Sequence, residues 1–339
     1  MVKKQELLLA LKKVLPGIDT TSSTGDTFIF DNKWLKTGNS SLSISYKFPS
    51  NLGIKAAVKA KEFYKILNKM SEDIDIAMVG SKVIVKDTVT TLELSILEET
   101  DREIIDNKYL QNIEWKKIPT DFLEGLKKCA FSASTNMETG IWGTVFVGGK
   151  DIISSDSTRV SWFNMKKGIE GNFLLPLASV VEVINLKPDN MFVEENWVHF
   201  AKGDSDLINS ARLVTGDYPI KELKNLFNRE FKKTSYHFPE EIMDSINRVS
   251  ILSFQEGYIK IHYDEKKGML ICEGEKEFAK IKDSIKIARK TFPLYKTMCI
   301  SPKFFTDILP KTKQFFICDN LVLFEIDSFK HIVCLHTED

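Results

Sequence analysis

The order of apolar and polar residues follows one plan three times along the chain. Each repeat opens with an amphipathic segment whose apolar residues recur at helical spacing. The three opening helices are predicted over Lys3–Leu15, Thr120–Ser132 and Pro239–Leu252, so they begin about 118 residues apart. A duplication of this size indicates an architecture of similar domains.

Two further kinds of element follow each opening helix at matching positions. Second, shorter helices are predicted over Lys59–Met70, Pro176–Leu186 and Ser301–Leu309. Alternating β-branched and aromatic residues then predict closing strands over Asp75–Leu97, Asn190–Val214 and Gln314–Leu335. The pattern predicts an α+β fold of three repeated domains, 1–112, 113–230 and 231–339. Each domain has two helices packed on antiparallel sheets and is long enough to bury its own core.

Composition narrows the class of protein. The sequence has no apolar stretch of membrane-spanning length, and the LLLAL run near its start is short and flanked by lysines. We therefore expect a cytoplasmic protein with no membrane partner. The five cysteines form no CxxC pair, which favours reduced thiols over a zinc site or a disulfide framework. We expect neither a metal nor another cofactor.

The formal net charge of zero hides a segregation of charge. Residues 1–70 carry twelve lysines against five acidic residues, whereas residues 71–115 carry four basic residues against eleven acidic ones. Part of the acidic share lies in Glu98–Asp106, which is predicted to be a linker. In the second helix of the first repeat, Lys61, Lys65 and Lys69 recur every four residues and share one face. This face is either ordinary solvated surface or a surface that contacts phosphates without reading bases.

Catalytic motifs are absent from the sequence. It contains no glycine-rich phosphate loop, HExxH or GxSxG motif, and its five histidines are dispersed. Asp156, Ser157 and Arg159 leave a hydrolase or transferase as a minor alternative. Neighbouring residues in a strand or turn point in different directions, however, so their proximity in sequence is poor evidence for a catalytic triad.

Several short motifs carry a family resemblance. In chain order they are Phe131–Ser134, Gly143–Phe146, Ser154–Val160, Arg212–Val214 and Gly216–Pro219. Together with the triple repeat, they resemble the bacterial DNA polymerase III beta subunits, the processivity sliding clamps, from about residue 3 to the C-terminus. Asp156 and Arg159 match the Asp and Arg of the family's Thr-Asp-Gly-His-Arg-Leu run. Ser157 and Thr158 replace its Gly and His.

The resemblance implies a function without catalysis. Clamps of this type are head-to-tail homodimers whose six domains close a ring around double-stranded DNA and tether a replicative polymerase. Retention then follows from topology, so weak and sequence-independent phosphate contacts permit sliding. A polymerase and a clamp loader would bind through short linear motifs. The departures from the family fit a divergent, phage-encoded clamp. A clamp-fold scaffold that forms no stable ring is the other interpretation.

The resemblance also places three groups of residues. The pocket for the polymerase motif would contain Ile141, Ser155, Ser157, Thr158, Arg159, Val160, Leu226, Ile332 and Cys334. The subunit interface would contain Ile251 and Leu252, at the end of the third opening helix. From helix position and charge, the DNA-facing residues would be Lys12, Lys13, Lys61, Lys65, Lys69, Lys127, Lys128, Arg248 and Lys303.

The chain departs from the family at its start. It enters the first helix almost directly from Met1-Val2, so we expect the first sheet either to lack its initial strand or to take a strand from elsewhere. The segment Asp19–Asp26 is predicted to be a flexible loop.

Overall fold

The structure, a computed structural model, describes residues 2–18, 26–71, 73–97, 110, 113–203, 206–231, 234–253, 257–287, 292–293 and 297–336. The predicted linker Glu98–Asp106 lies outside these residues, as does the predicted loop except for its last residue. The chain divides into two compact units. Unit 1 comprises Met1–Leu123 and Phe173–Thr215, and unit 2 comprises Glu124–Asn172 and Gly216–Asp339. The three domain boundaries stay a prediction.

Helices occur where the apolar spacing predicts them. In chain order they are α1 (Lys4–Val14), α2 (Ala60–Leu67), α3 (Phe122–Cys129), α4 (Leu177–Leu186), α5 (Ile220–Phe227), α6 (Ile242–Val249) and α7 (Pro302–Ile308). All three opening helices run into a tighter 3₁₀ turn, over Leu15–Gly17, Ala130–Ser132 and Ser250–Leu252. Helix α5 is an addition that the three-repeat pattern does not contain.

The strands account for most of the remaining described chain. They are β1 (Val2–Lys3), β2 (Thr27–Asp31), β3 (Trp34–Gly38), β4 (Leu42–Lys47), β5 (Lys55–Lys59), β6 (Asp73–Val79), β7 (Lys82–Lys86), β8 (Thr91–Ser95), β9 (Lys116–Lys117), β10 (Thr144–Gly148), β11 (Asp151–Ser155), β12 (Arg159–Asn164), β13 (Asn172–Pro176), β14 (Asn190–Val193), β15 (Trp197–Lys202), β16 (Leu207–Arg212), β17 (Tyr236–His237), β18 (Ile259–Asp264), β19 (Met269–Lys276), β20 (Ala279–Lys286), β21 (Met298–Ile300), β22 (Gln314–Cys318), β23 (Leu321–Ile326) and β24 (Phe329–Cys334).

Unit 1 contains two sheets. One has the order β1, β6, β7, β8, and the other has the order β5, β2, β3, β4, β16, β15, β14, β9. Helix α1 packs on β3, β4 and α2, with Leu7 and Leu11 buried. The Phe63 ring of α2 meets the rings of Phe28 and Phe30 edge-on, at centroid distances of 6.3 and 6.1 Å. The apolar helix stripes therefore form the core of this unit.

The expectation of a missing first strand is wrong. Residues Val2 and Lys3 form β1, which pairs antiparallel with β6 through Val2↔Ile74 and Lys3↔Asp73. Two residues are too short to show a period of two, so the sequence pattern could not reveal this strand.

Unit 2 also contains two sheets. One includes the strand order β10, β11, β12, β24, β23, β22, β17, and the other has the order β20, β19, β18, β21. Phenylalanines fill its core. The ring of Phe238 stacks on Phe315 at 4.4 Å and meets Phe305 edge-on at 5.4 Å. Phe305 lies on α7, so this cluster fixes α7 against the sheet that contains β22.

None of the helices within the described residues is long and apolar enough to cross a membrane. All five cysteines are free, and burial raises the pKa of the Cys272 thiol to about 12. A thiol with so high a pKa stays protonated at neutral pH and is a poor nucleophile.

Two histidines are buried on paired strands. His199 on β15 accepts or donates a hydrogen bond through Nδ1 to the Ser210 hydroxyl at 2.7 Å, and His331 on β24 is bonded through Nδ1 to the Ser161 hydroxyl at 2.9 Å. Burial lowers the pKa of both imidazoles. For His331, the positive charges of Arg159 and Lys311 lower the pKa further. Both imidazoles are therefore harder to protonate in the folded protein than in an unfolded chain.

We predict that the free energy of unfolding falls as the pH drops below about 6.5. An unfolded chain has an ordinary histidine pKa near 6.5 and binds protons that the folded state does not bind. Stability is then complete above that pH and decreases below it. Urea unfolding at pH 7.5, 6.0 and 5.0 measures the slope, which His331→Gln reduces. The exposed-site control His336→Gln keeps the wild-type slope, and an equal slope in wild type and His331→Gln would contradict the assignment.

Candidate functional site

The turn between β11 and β12 has a backbone fixed by its own side chains. Asp156 Oδ1 accepts hydrogen bonds from the backbone amides of Thr158 and Arg159, both at 3.1 Å, and from the Thr158 hydroxyl at 2.7 Å. The Ser155 hydroxyl accepts the Ser157 amide at 3.1 Å and donates to the Arg159 carbonyl at 2.8 Å. Ser157 adopts φ 75°, a left-handed conformation that favours glycine. The turn therefore presents Ser157 and Thr158 to solvent in one defined shape.

The guanidinium of Arg159 forms hydrogen bonds inside the protein. Its Nε donates to Asp156 Oδ2 at 2.8 Å, and its Nη1 donates to Asp307 Oδ2 on α7 at 2.7 Å. The side chain is 3% exposed, and its guanidinium carbon lies 4.4 Å from the centroid of the Phe304 ring. Two carboxylates and an aromatic face compensate this buried cation. Arg159 therefore supports the turn and is not available to bind a ligand directly.

Strand β24 lies beside this turn. Val160 pairs with Ile332, and the Cys334 amide donates to the Thr158 carbonyl at 2.9 Å. Val160 and Ile332 are buried, so their side chains belong to the core. Cys334 is half-buried, and burial raises the pKa of its thiol. Of these strand residues, only Cys334 offers surface to a ligand.

Ile141 reaches the same part of unit 2 from the 3₁₀ segment Met137–Gly143. It lies against Gly216, where an added Cβ would come within 2.7 Å of the Ile141 Cγ2 atom. Next to them, the Tyr218 ring packs on Trp142 and Phe146 at centroid distances of 5.8 and 6.0 Å. Ile141 is half-buried, so part of its side chain packs against the protein and part is exposed to solvent.

Leu226 is half-buried on α5, and α5 packs beside β24. The helix is attached to β11 and β12 by a polar and aromatic cluster. Lys224 Nζ lies 2.6 Å from Asp151 Oδ2 and 4.9 Å from the Trp162 ring centroid. The indole Nε1 of Trp162 donates to Asp151 Oδ1 at 2.8 Å, and its ring contacts Phe227 at 5.4 Å.

The predicted pocket thus contains two kinds of residue. Ser157, Thr158, Ile141, Leu226 and Cys334 have exposed or half-exposed side chains. The others, Ser155, Arg159, Val160 and Ile332, are buried and hold the first group in place. All nine lie in unit 2.

The basic residues predicted for unit 1 lie on two packed helices. Lys12 on α1, Lys61 and Lys65 on α2, and Lys69 just beyond α2 are exposed. Lys13 is half-buried, with its Nζ 4.0 Å from the Tyr46 ring centroid. These positions lie opposite the buried apolar stripes of the two helices, so the charges face solvent.

The basic residues predicted for unit 2 are less uniform. Lys127 on α3 and Lys303 on α7 are exposed. Lys128 pairs with Glu124 at 2.7 Å, and Arg248 Nη2 on α6 pairs with Asp283 at 2.5 Å. Arg248 is therefore engaged with β20, which weakens its assignment to a DNA-facing surface.

The turn after α6 separates its two candidate interface residues. Ile251 is 70% exposed, whereas Leu252 is half-buried. Gly274 of β19 lies directly beneath this turn, because a Cβ there would collide with the carbonyl oxygens of Val249 and Leu252. Ile251 does not belong to the helix core, which ends at Val249.

The sequence patterns missed several residues that shape these surfaces. Asp307 and Asp151 were missed because each acts on a partner far away in sequence, 148 positions for Arg159 and 73 for Lys224. Tyr218 lies in the Gly216–Pro219 motif, which by itself indicates no role for its ring.

Enzyme-like arrangements in the structure are closed to substrates. The imidazole of His199 is hydrogen-bonded on both sides, through Nε2 to Glu194 Oε1 at 2.8 Å and through Nδ1 to the Ser210 hydroxyl at 2.7 Å. Ser210 is 2% exposed and His199 is fully buried, so no substrate reaches the hydroxyl. The Asp156 carboxylate already accepts hydrogen bonds from its own turn and from Arg159. Among the described residues, no group of three or more His, Cys, Asp or Glu side chains is arranged to hold a metal ion.

We predict that Lys224→Met loosens α5. The substitution removes the ion pair with Asp151 and the contact with the Trp162 ring, which together are worth about 1 kcal/mol for partly exposed groups. Amide hydrogen exchange within α5 should become about fivefold faster, while β11 and β12 keep their protection. Lys221→Met, at an exposed position of the same helix, is the matched control. Equal exchange in both variants would show that the cluster does not hold the helix.

Comparison with known proteins identifies the fold. The sequence matches no protein-family model and no curated protein. The structure of the DNA polymerase III subunit beta from Pseudomonas aeruginosa matches with a TM-score of 0.80 and 15% identity, over 99% of each chain. A putative DNA polymerase III beta subunit from Eubacterium rectale matches with a TM-score of 0.82 and 16% identity, over 98% of this chain and 97% of that one.

A third solved structure adds a bound partner. The Helicobacter pylori beta clamp bound to a DNA ligase peptide matches with a TM-score of 0.77 and 18% identity, over 99% of each chain. These matches span the whole chain although few residues are identical. The predicted resemblance is confirmed at the level of the fold: this chain has the α+β, three-domain fold of the bacterial DNA polymerase III beta sliding clamps.

Proposed function

We propose that the protein is a DNA sliding clamp that closes a ring around duplex DNA and holds a replicative polymerase on it. The observation that carries the proposal is the match to beta clamps along 98–99% of the chain, at TM-scores of 0.77–0.82. The proposed partners are double-stranded DNA, a second copy of the chain, a polymerase and a clamp loader. The protein itself would catalyse no reaction and would act in the cytoplasm.

The basic helices of unit 1 support contact with DNA. Exposed lysines on α1 and α2 contact phosphates without reading bases, and salt screens such contacts. Binding of this kind is weak and independent of sequence, which suits a protein that slides. Topological closure, rather than affinity, would then keep the protein on DNA.

Two sheet edges support closure by a second copy. Within the described residues, β8 of unit 1 and β20 of unit 2 each have a strand partner on one side only. Strand β8 carries the exposed Glu93, whereas β20 carries the exposed Lys280, Lys282 and Lys286. Unlike edges attract and like edges repel, so β8 of one copy would pair with β20 of another in a head-to-tail arrangement.

Apolar side chains accompany both edges. Leu92 and Leu94 on β8 are half-buried, and Met78 on β6, two strands away and in register with Leu94 through Val83 of β7, is 46% exposed. In unit 2, Ile251 is largely exposed and Ile281 on β20 is half-buried. Burying these groups between two copies would add apolar contact to the strand pairing.

The turn at Ser157 and Thr158, together with Ile141, Leu226 and Cys334, is the proposed pocket for the polymerase motif. The peptide bound to the Helicobacter pylori clamp supports a peptide as the ligand class. Because the turn carries Ser157 and Thr158, the motif that fits it best would differ from the usual bacterial one. The pocket offers small hydroxyl groups beside apolar surface.

We predict a solution mass of twice the 38.7 kDa of the chain. Light scattering over a protein dilution series measures it. Replacing Lys280 and Lys282 by glutamate places like charges on both proposed edges and should raise the dimer dissociation constant about tenfold. A monomer at every concentration would exclude the stable ring and favour a clamp-fold scaffold.

Lys266→Glu combined with Lys267→Glu is the matched control for the mass measurement. Both lysines are exposed in the β18–β19 turn of the same sheet, which adjoins the Lys286 end of β20 and not the part of the strand that carries Lys280 and Lys282. The control keeps the wild-type dissociation constant if edge charge is responsible. Equal weakening by both pairs would indicate a general effect of charge.

We also predict that changing Lys61, Lys65 and Lys69 together to glutamine weakens contact with DNA. Each phosphate contact contributes about 0.9 to the slope of log affinity against log salt concentration, so the slope should decrease by up to about 3. Titration of a duplex of mixed sequence at several salt concentrations measures the slope. The control changes the exposed Lys266, Lys267 and Lys276 to glutamine, and an equal loss there would argue against a specific helix surface.

A further inference from the structure

A chain of polar contacts connects helix α7 to the exposed tip of the β11–β12 turn. Asp307 on α7 accepts a hydrogen bond from Arg159 Nη1 at 2.7 Å, and Arg159 Nε donates to Asp156 at 2.8 Å. Asp156 in turn holds the amide and the hydroxyl of Thr158. All four residues lie in unit 2, and only Thr158 is exposed.

Arg159 depends on both carboxylates. Its guanidinium has five N–H donors and is buried, and the described acceptors of its side chain are the two aspartates. A buried cation that loses the negative charge of one of its two carboxylate partners is strongly undercompensated, so it moves toward the carboxylate that remains or toward solvent. Either movement displaces Asp156, because the two Asp156 oxygens divide their bonds between Arg159 and the turn.

The turn needs this external support. Ser157 has the left-handed conformation that glycine adopts at no steric cost and that other residues adopt only when their surroundings impose it. The described side-chain hydrogen bonds that impose it are accepted by Asp156 Oδ1, from the Thr158 and Arg159 amides, and by the Ser155 hydroxyl, from the Ser157 amide. Asp156 therefore sets the positions of Ser157 and Thr158, and Arg159 sets the position of Asp156.

We infer that Asp307 is a positioning residue for the peptide pocket. It touches no part of the proposed ligand but acts through Arg159 and Asp156 on the exposed Ser157 and Thr158. Asp307 lies one helical turn after Lys303, on a helix fixed by the phenylalanine core, so it is a firm anchor. The inference rests on the proposed function only for the nature of the ligand, because the support of the turn is a property of the free protein.

The first experiment measures the turn without a ligand. In Asp307→Asn, amide hydrogen exchange at Thr158 and Arg159, read residue by residue by NMR, should become at least tenfold faster. The amides of Ile153 and Ser161 in the flanking strands should keep their rates. Asp307→Glu retains the carboxylate and should restore most of the protection. Unchanged exchange at Thr158 in Asp307→Asn would overturn the inference, whatever the ligand is.

The second experiment measures binding. A fluorescein-labelled copy of the DNA ligase peptide bound to the Helicobacter pylori clamp serves as the probe, and fluorescence anisotropy gives the dissociation constant. We expect Asp307→Asn to weaken binding about tenfold, Asp307→Glu to recover it, and the solution mass to stay at the wild-type value. A loosened turn with wild-type affinity would refute the role in the pocket.

Glu325→Gln is the matched control. It makes the same carboxylate-to-amide change in unit 2, at a pair with Lys330 of 2.6 Å that is more than one third exposed. Neither the exchange at Thr158 nor the affinity for the peptide should change. If wild type shows protection at Thr158 that depends on Asp307 yet binds no peptide, the proposed pocket fails while the support of the turn stands.

Discussion

Antiparallel pairing between strands far apart in sequence is the constraint on which this structure depends. In unit 1, β4 pairs with β16, aligning Leu42 with Ala211. In unit 2, β12 pairs with β24, aligning Val160 with Ile332. Each ladder joins strands from two successive repeats, so its hydrogen bonds and side-chain register cross a predicted domain boundary. The compact units of the chain are therefore organised around these ladders and not around single repeats.

The register of the second ladder also explains where the candidate pocket lies. Pairing of β12 with β24 places Cys334 beside Thr158, and it buries His331 against Ser161. The buried guanidinium of Arg159 is tolerated because two carboxylates compensate it, and the buried imidazole of His331 is bonded through Nδ1 to the Ser161 hydroxyl. Pairing strands from two repeats therefore buries polar groups. The hydrogen bonds that Arg159 makes there give the turn above it a fixed shape.

Local patterns predicted the two helices of each repeat and the closing strands but not α5, because apolar periodicity reports directly on burial. They failed where a feature is too short or too distant to leave a pattern. Strand β1 has two residues, and Asp307 meets Arg159 only after the chain has folded. Arg159 was identified by its motif, but its role in support rather than in binding depends on Asp307. The charge of Arg248 likewise suggested DNA, whereas its geometry pairs it with Asp283.

The left-handed Ser157 has a consequence for how such a turn changes over time. The resemblance aligns this position with the glycine of the clamp motif, and a serine in this left-handed conformation costs about 1–2 kcal/mol. Asp156 and Ser155 offset that cost with side-chain hydrogen bonds. Once side chains define the shape, the backbone no longer requires glycine. The tip is then free to vary its chemistry while keeping its form.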